Sequence, residues 1–80
     1  MARYFLTLHE CGTVLDDPDG QEWPSLEAVL SHTVVSARDV MMGEVRAGRL
    51  CLACFIVITD VEGREVGRVN FADAVTVIGA

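Results

Sequence analysis

The sequence predicts an α+β fold: an antiparallel sheet of four or five strands with one long helix packed on one face, in the order ββ-α-ββ. Three observations carry this expectation. Alternating apolar residues precede and follow a single long stretch whose apolar residues repeat every 3.6 positions. Turn-forming clusters at Glu10–Gly12 and Asp60–Arg64 are short enough to join only antiparallel neighbours. With short hairpins and one helix, the economical arrangement is a sheet with the helix laid across it.

The first strand is expected over Arg3–His9, with Tyr4, Leu6 and Leu8 on one face and Arg3, Phe5, Thr7 and His9 on the other. Glu10-Cys11-Gly12 turns the chain, and Thr13-Val14-Leu15 forms a short return strand. Asp16-Asp17-Pro18-Asp19-Gly20 is a second turn, because Pro18 presets φ, the Asp side chains bond nearby amides and Gly20 accepts positive φ. A helix then begins after Pro24, with Ser25 as N-cap and Glu27 in the first turn, where the helix dipole favours an anion. Trp23 is placed to pack on the first turn near Val29. Leu26, Val29, Leu30, Thr33, Ala37, Val40, Met41 and Val45 fall on one stripe, and Gly48 is the expected stop.

Leu50 to Asp60 is apolar in both alternating sets, which marks a strand covered on both faces. Asp60–Arg64 closes a hairpin with Gly63 in the left-handed region, and Glu65–Phe71 returns. Ala72–Ala74 is expected to turn and Val75–Ile78 to add an edge strand. The predicted strand order is second, first, third, fourth. Leu6, Leu8, Val29, Leu30, Ala37, Met41, Leu52, Ile56, Ile58 and Val69 are the expected core.

Composition limits the function classes. Six Arg and no Lys stand against twelve acidic residues in 80, a net charge of −6. Phosphate neutralisation needs clustered cations, so nucleic-acid binding is not expected. The longest apolar run, Leu50–Thr59, is half the roughly 20 residues that a membrane span needs. The opening Met1–Leu6 has no h-region, so a single cytoplasmic domain over residues 1–80 with no membrane association is expected. Three cysteines, an odd number, argue against a disulfide framework. Yet 51% of the residues are apolar before glycine is counted, against about 45–50% with glycine in ordinary domains. That excess points to a partner surface.

No complete catalytic, metal-binding or cofactor-binding set is expected. Cys51 and Cys54 form a C-x-x-C, but residues three apart on a strand point to opposite faces, so these sulfurs should diverge as core cysteines. His9 and Cys11 share a face at a turn and could form an activated thiol, although ordinary turn residues are the simpler account. His32 is expected on the solvated side of the helix. Asp17, Asp19, Gly20 and Glu22 lack the later ligands of a calcium loop and look like an acidic turn. What remains is exposed apolar surface. Cys51, Ala53, Phe55 and Val57 lie on the uncovered sheet face, and Val35 and Met42 lie one heptad apart on the outer side of the helix.

The opening Met1-Ala2-Arg3-Tyr4-Phe5 resembles that of a family of short uncharacterised bacterial proteins. So do Asp17 with Gly20 leading to Leu26-Glu27-Ala28, Arg46-Ala47-Gly48-Arg49-Leu50, Thr59-Asp60 with Gly63-Arg64, and Phe71 with Asp73-Ala74. That family carries a domain of unknown function, so the resemblance implies one compact domain but no activity and no site residues. Its members tend to have charged residues where this chain has Cys51, Ala53, Phe55 and Val57. A looser similarity, of architecture alone, is to small antitoxins of ββ-α type that bind a basic partner. The leading expectation is a non-enzymatic interaction module that homodimerises through its sheet face. The alternatives are a thiol-dependent enzyme or redox sensor using Cys11 with His9, and an antitoxin-like binder of a basic protein.

Overall fold

Alternation across Arg3–His9 makes a strand long enough to pair with three others, and the sheet is built on it. A computed structural model describes residues 1–79. Strand β1, Ala2–Glu10, pairs antiparallel with β2, Thr13–Asp16, and with β3, Gln21–Trp23. Between the two pairings, the step from Tyr4 to Thr7 on β1 matches Asp16 to Gln21 on the returning chain. The two extra residues are taken up in the Asp17–Gly20 loop. Gly20 (φ 66°) is required there, because a Cβ would stand 2.8 Å from both the Phe5 ring and the Tyr4 carbonyl oxygen. Asp17 Oδ1 accepts the Gly20 N–H at 3.2 Å, and Arg3 donates to the Asp19 carbonyl at 2.8 Å.

Helix α1, Leu26–Arg46, follows the predicted cap: Ser25 Oγ accepts the Ala28 N–H at 3.1 Å. Val29, Thr33, Ala37, Met41 and Glu44 are its buried residues, a stripe of near-perfect four-residue spacing. Trp23 lies against the ring of His32 (centroids 4.7 Å apart), so His32 is a packed surface residue instead of a purely solvated one. At the other end Gly48 has φ 89°, its N–H donates to Val45 O (2.9 Å), and Arg49 N–H donates to Glu44 O (3.0 Å). That pair of bonds is the Schellman stop.

Strands β4, Phe55–Thr59, and β5, Glu65–Asn70, complete the sheet in the order β2-β1-β4-β5, as the patterning predicts. The fifth strand is β3, however, and Val75–Ile78 forms no strand. Leu6 pairs with Ile58 and Leu8 with Ile56, which puts these four residues on the helix-facing side. Helix α2, Phe71–Ala74, stands where a turn was expected. It buries Phe71 and Ala74 completely, and Arg38 Nε donates to the Ala74 carbonyl at 2.7 Å. The expected core residues assemble, Leu6, Leu8 and Leu30 as partly buried neighbours, with one exception: Leu52 is 39% exposed.

The outer sheet face is less bare than the sequence implies. Phe55 stacks on His9 (centroids 4.5 Å, 16° between planes) and carries the Arg68 guanidinium 4.4 Å from its ring centre. Val57, paired between Thr7 and Arg68, is only 9% exposed. Two polar neighbours on the flanking strands thus cover the apolar centre of that face.

Phe71 is the largest fully buried side chain. Phe71→Ala should lower unfolding stability by about 3–5 kcal/mol, whereas Val61→Ala at an exposed turn should stay within about 0.5 kcal/mol. Urea unfolding measures both, and a loss under about 1 kcal/mol for Phe71→Ala would separate α2 from the core.

Candidate thiol site

The hairpin between β1 and β2 is as tight as a hairpin can be. Glu10 pairs with Thr13, leaving only Cys11 (φ 48°) and Gly12 (φ 82°) as the loop. Two successive positive φ angles define a type I′ turn, whose first position favours Asn, Asp or Gly. Cysteine there is out of character, and it is the only non-glycine residue with positive φ among the described residues.

The second contribution comes from the segment between α1 and β4. The C-x-x-C was expected in mid-strand with its sulfurs on opposite faces, but β4 begins only at Phe55. The reason is the length of the partner. Phe55 pairs with His9, and β1 ends one residue later as the hairpin turns, so residues before Phe55 have no backbone to pair with. They form a turn instead. It is held from beneath by Glu44 Oε1, which accepts the Cys51 N–H at 3.2 Å, and by the Phe71 N–H, which donates to Cys54 O at 2.9 Å.

This turn brings the sulfurs together. Cys51 and Cys54 Sγ are 2.6 Å apart, Cys54 and Cys11 Sγ are 4.0 Å apart, and all three lie within 4.8 Å of one another. Every cysteine of the chain is in this cluster. Cys54 is buried among core residues, Cys51 is half-buried and Cys11 is exposed. They line a shallow pocket of about 290 Å³ with His9, Ala53 and Phe55.

The three thiols differ in acidity. Hydrogen bonding from the Cys54 thiol, helped by the Ala53 N–H, holds Cys51 below the ordinary value of 9.0. Burial, with the Cys51 sulfur beside it, pushes Cys54 up to about 12. Cys11 is raised, chiefly by the neighbouring Cys51 thiol. The lowered thiol is therefore Cys51 and not Cys11, and His9 spends its ring on Phe55 with no hydrogen bond to Cys11. Cys11 instead lies beside Cys54, which in turn contacts Cys51. Of the expected interface residues, Cys51 and Ala53 belong to this loop, Phe55 and Val57 to the locally covered sheet face, and Val35 and Met42 to the exposed side of α1.

Sequence patterning gave no hint of Glu44, a charged residue on the buried stripe. It is 4% exposed, and its Oε2 has no hydrogen-bond partner. The neighbouring Glu44 carboxyl, together with burial, raises Glu10 above the ordinary 4.5, with Arg49 acting in the opposite sense. The folded protein thus keeps a proton on Glu10 that the unfolded chain would release. The stability this contributes is complete below pH 4.5 and is lost as pH rises through the raised value. Glu44→Gln, which can still accept the Cys51 N–H, should flatten that loss when urea midpoints are compared from about pH 4 to 8. An unchanged pH slope would exclude the pair as its source.

Among the described residues no helix is long and apolar enough to cross a membrane. Comparison with curated proteins and with solved structures yields no match. A family model described as a domain of unknown function does match, from residue 3 to residue 72. With that span of its 80 residues inside the match, the chain belongs to the DUF6894 family.

Proposed function

We propose that the protein is a thiol switch in which Cys51 and Cys54 cycle between dithiol and disulfide. The convergence of two sulfurs to 2.6 Å carries this reading, since a small rotation brings them to the roughly 2.05 Å of a disulfide bond. Cys51 has the attributes of the attacking thiol: it is reachable from solvent and its acidity is raised. Cys54, buried beside it, resolves the intermediate.

With a small disulfide as oxidant, the Cys51 thiolate attacks one of its sulfurs, forming a mixed disulfide and releasing one thiolate. The Cys54 thiol then gives up its proton and attacks Cys51 Sγ. The Cys51–Cys54 bond forms, the second small thiolate leaves, and two electrons have passed from protein to oxidant. Burial of Cys54 slows this second step by keeping its thiol protonated, so the mixed disulfide should be observable.

Incubating reduced protein with oxidised glutathione and mapping the product by mass spectrometry tests this. The expected product lacks two hydrogens and links Cys51 to Cys54, and Cys51→Ser should prevent it. A product linked through Cys11, or no internal disulfide, would remove the reading. Alkylation of Cys51 should accelerate with pH and level off below pH 9.0.

Self-association is a second reading, favoured by the exposure of Val35 (52%), Met42 (60%) and Val45 (60%) on α1. The local partners of Phe55 and Val57 make the sheet face the weaker seam, so a second copy would meet α1. In sedimentation at micromolar concentration, Met42→Glu should then shift a dimer to monomer. Phe55→Glu should chiefly lower stability, because it removes the His9 and Arg68 contacts. A dimer lost only with Phe55→Glu would return the interface to the sheet.

A further inference from the structure

We infer that Cys11, Cys51 and Cys54 together bind one thiophilic d10 cation, Zn(II) or Cu(I), as a three-thiolate site. The inference rests on the same dithiol as the redox reading, and it gives Cys11 a role that the disulfide leaves open.

The geometry is close to what such an ion needs. With metal–sulfur bonds of about 2.3 Å, sulfurs at the corners of a tetrahedron stand about 3.8 Å apart, and three around a trigonal centre about 4.0 Å. Cys11 and Cys54 already have that spacing at 4.0 Å, and no pair in the cluster exceeds 4.8 Å. Only Cys51 must move, swinging outward from Cys54 by roughly 1.2–1.4 Å. Its half-buried position at the pocket rim leaves room for that rotation.

The placement of Cys11 is the independent observation. A type I′ turn gains nothing from cysteine, whose positive φ is strained where Gly is not and Asn is better tolerated. Yet this is the residue whose sulfur completes the cluster, from a segment 40 residues away from Cys51. Soft sulfur donors select Zn(II) and Cu(I) over hard cations. No further Cys, His, Asp or Glu joins the set among the described residues, so a tetrahedral ion would take water as its fourth ligand and a trigonal one would need none.

Each thiol that ligates releases its proton to solvent, so binding tightens with rising pH. Binding and oxidation exclude each other, because the electron pairs donated to the ion are those consumed in the disulfide. The ion would hold the dithiol reduced, and oxidation would expel the ion.

The test uses the full chain, reduced and anaerobic, titrated separately with Zn(II) and with Cu(I) against a colorimetric chelator. Cys11→Asn is the informative variant, since Asn suits the turn and circular dichroism can verify the fold. One ion per chain is expected. Cys11→Asn should weaken it by more than about 100-fold, the upper range for outer-shell partners. Cys51→Ser should do the same, and bound metal should protect all three thiols from alkylation. No stoichiometric binding of either ion, or equal affinity in Cys11→Asn, would overturn the site. Oxidised glutathione applied to metal-free wild type and Cys11→Asn separates the two proposals. A Cys51–Cys54 disulfide without metal binding sinks only the metal site, and metal binding without that disulfide sinks only the switch.

Discussion

The pairing of β1 with β4 governs much of the rest through where it stops. β1 is nine residues long, its register with β4 joins Leu6 to Ile58 and His9 to Phe55, and one residue later it enters a two-residue turn. Backbone amides can be satisfied as a strand only while a partner strand runs alongside. When β1 turns, the chain arriving from α1 must satisfy its polar groups otherwise, and it uses Glu44 and the Phe71 N–H. The same event creates both halves of the thiol cluster: the turn that exposes Cys11, and the unpaired segment that folds Cys51 back on Cys54.

That constraint explains which parts of the fold were legible. Ser25, the four-residue apolar stripe and Gly48 mark α1 because capping, periodicity and a left-handed stop are local signals. Gly63 and Asp60 mark the second hairpin for a similar reason: Asp60 Oδ1 accepts the Glu62 and Arg64 N–H groups, at 2.9 and 3.0 Å. Leu50–Cys54 misleads because hydrophobicity reports burial and not pairing. Cys54 is indeed buried, but its neighbours belong to a turn, and Leu52 points away from the core. Strand length there was set by a residue forty positions earlier, which no window along the chain reveals. β3 is the opposite case. Gln21-Glu22-Trp23 has little strand character of its own and is strand only because the first residues of β1 are available to it.

The outer face shows a further limit of pattern reasoning. Alternation correctly puts Phe5, Thr7, His9, Phe55 and Val57 on one side, and an apolar centre with no covering helix suggests a partner. Cross-strand pairing supplies cover at shorter range. His9 and Arg68, on the two strands flanking β4, each present a polar-tipped but flat group to Phe55. Arginine in particular covers carbon with carbon while its charge stays in water. The apolar excess of the composition is thus spread over α1, the loop before β4 and the C-terminal residues, where Met42, Leu50 and Ile78 are exposed, rather than gathered on the sheet.

Charge makes the cluster more than a coincidence of placement. The chain is acidic, and the Glu10–Glu44 pair sits beside the thiols with Arg49 as the cation that acts on both Glu10 and Cys11. The proton that Glu10 keeps relieves its repulsion with Glu44. The thiols have no equivalent relief, since three thiolates at 2.6–4.8 Å spacing would repel strongly and the burial of Cys54 already opposes its ionisation. The trio can lower its free energy by staying protonated, by joining two sulfurs covalently, or by sharing a cation. The first is consistent with Cys54 pushed up to about 12 and with its thiol donating to Cys51 in the close Cys51–Cys54 contact. Covalent linkage resolves that contact with the least motion and sets Cys11 aside. A shared cation resolves it with a single rotation of Cys51 and engages all three. The spacing of the sulfurs keeps both outcomes within reach: the 2.6 Å approach of Cys51 to Cys54 needs a small rotation inward for the bond, and the 4.0 Å between Cys11 and Cys54 already suits the ion.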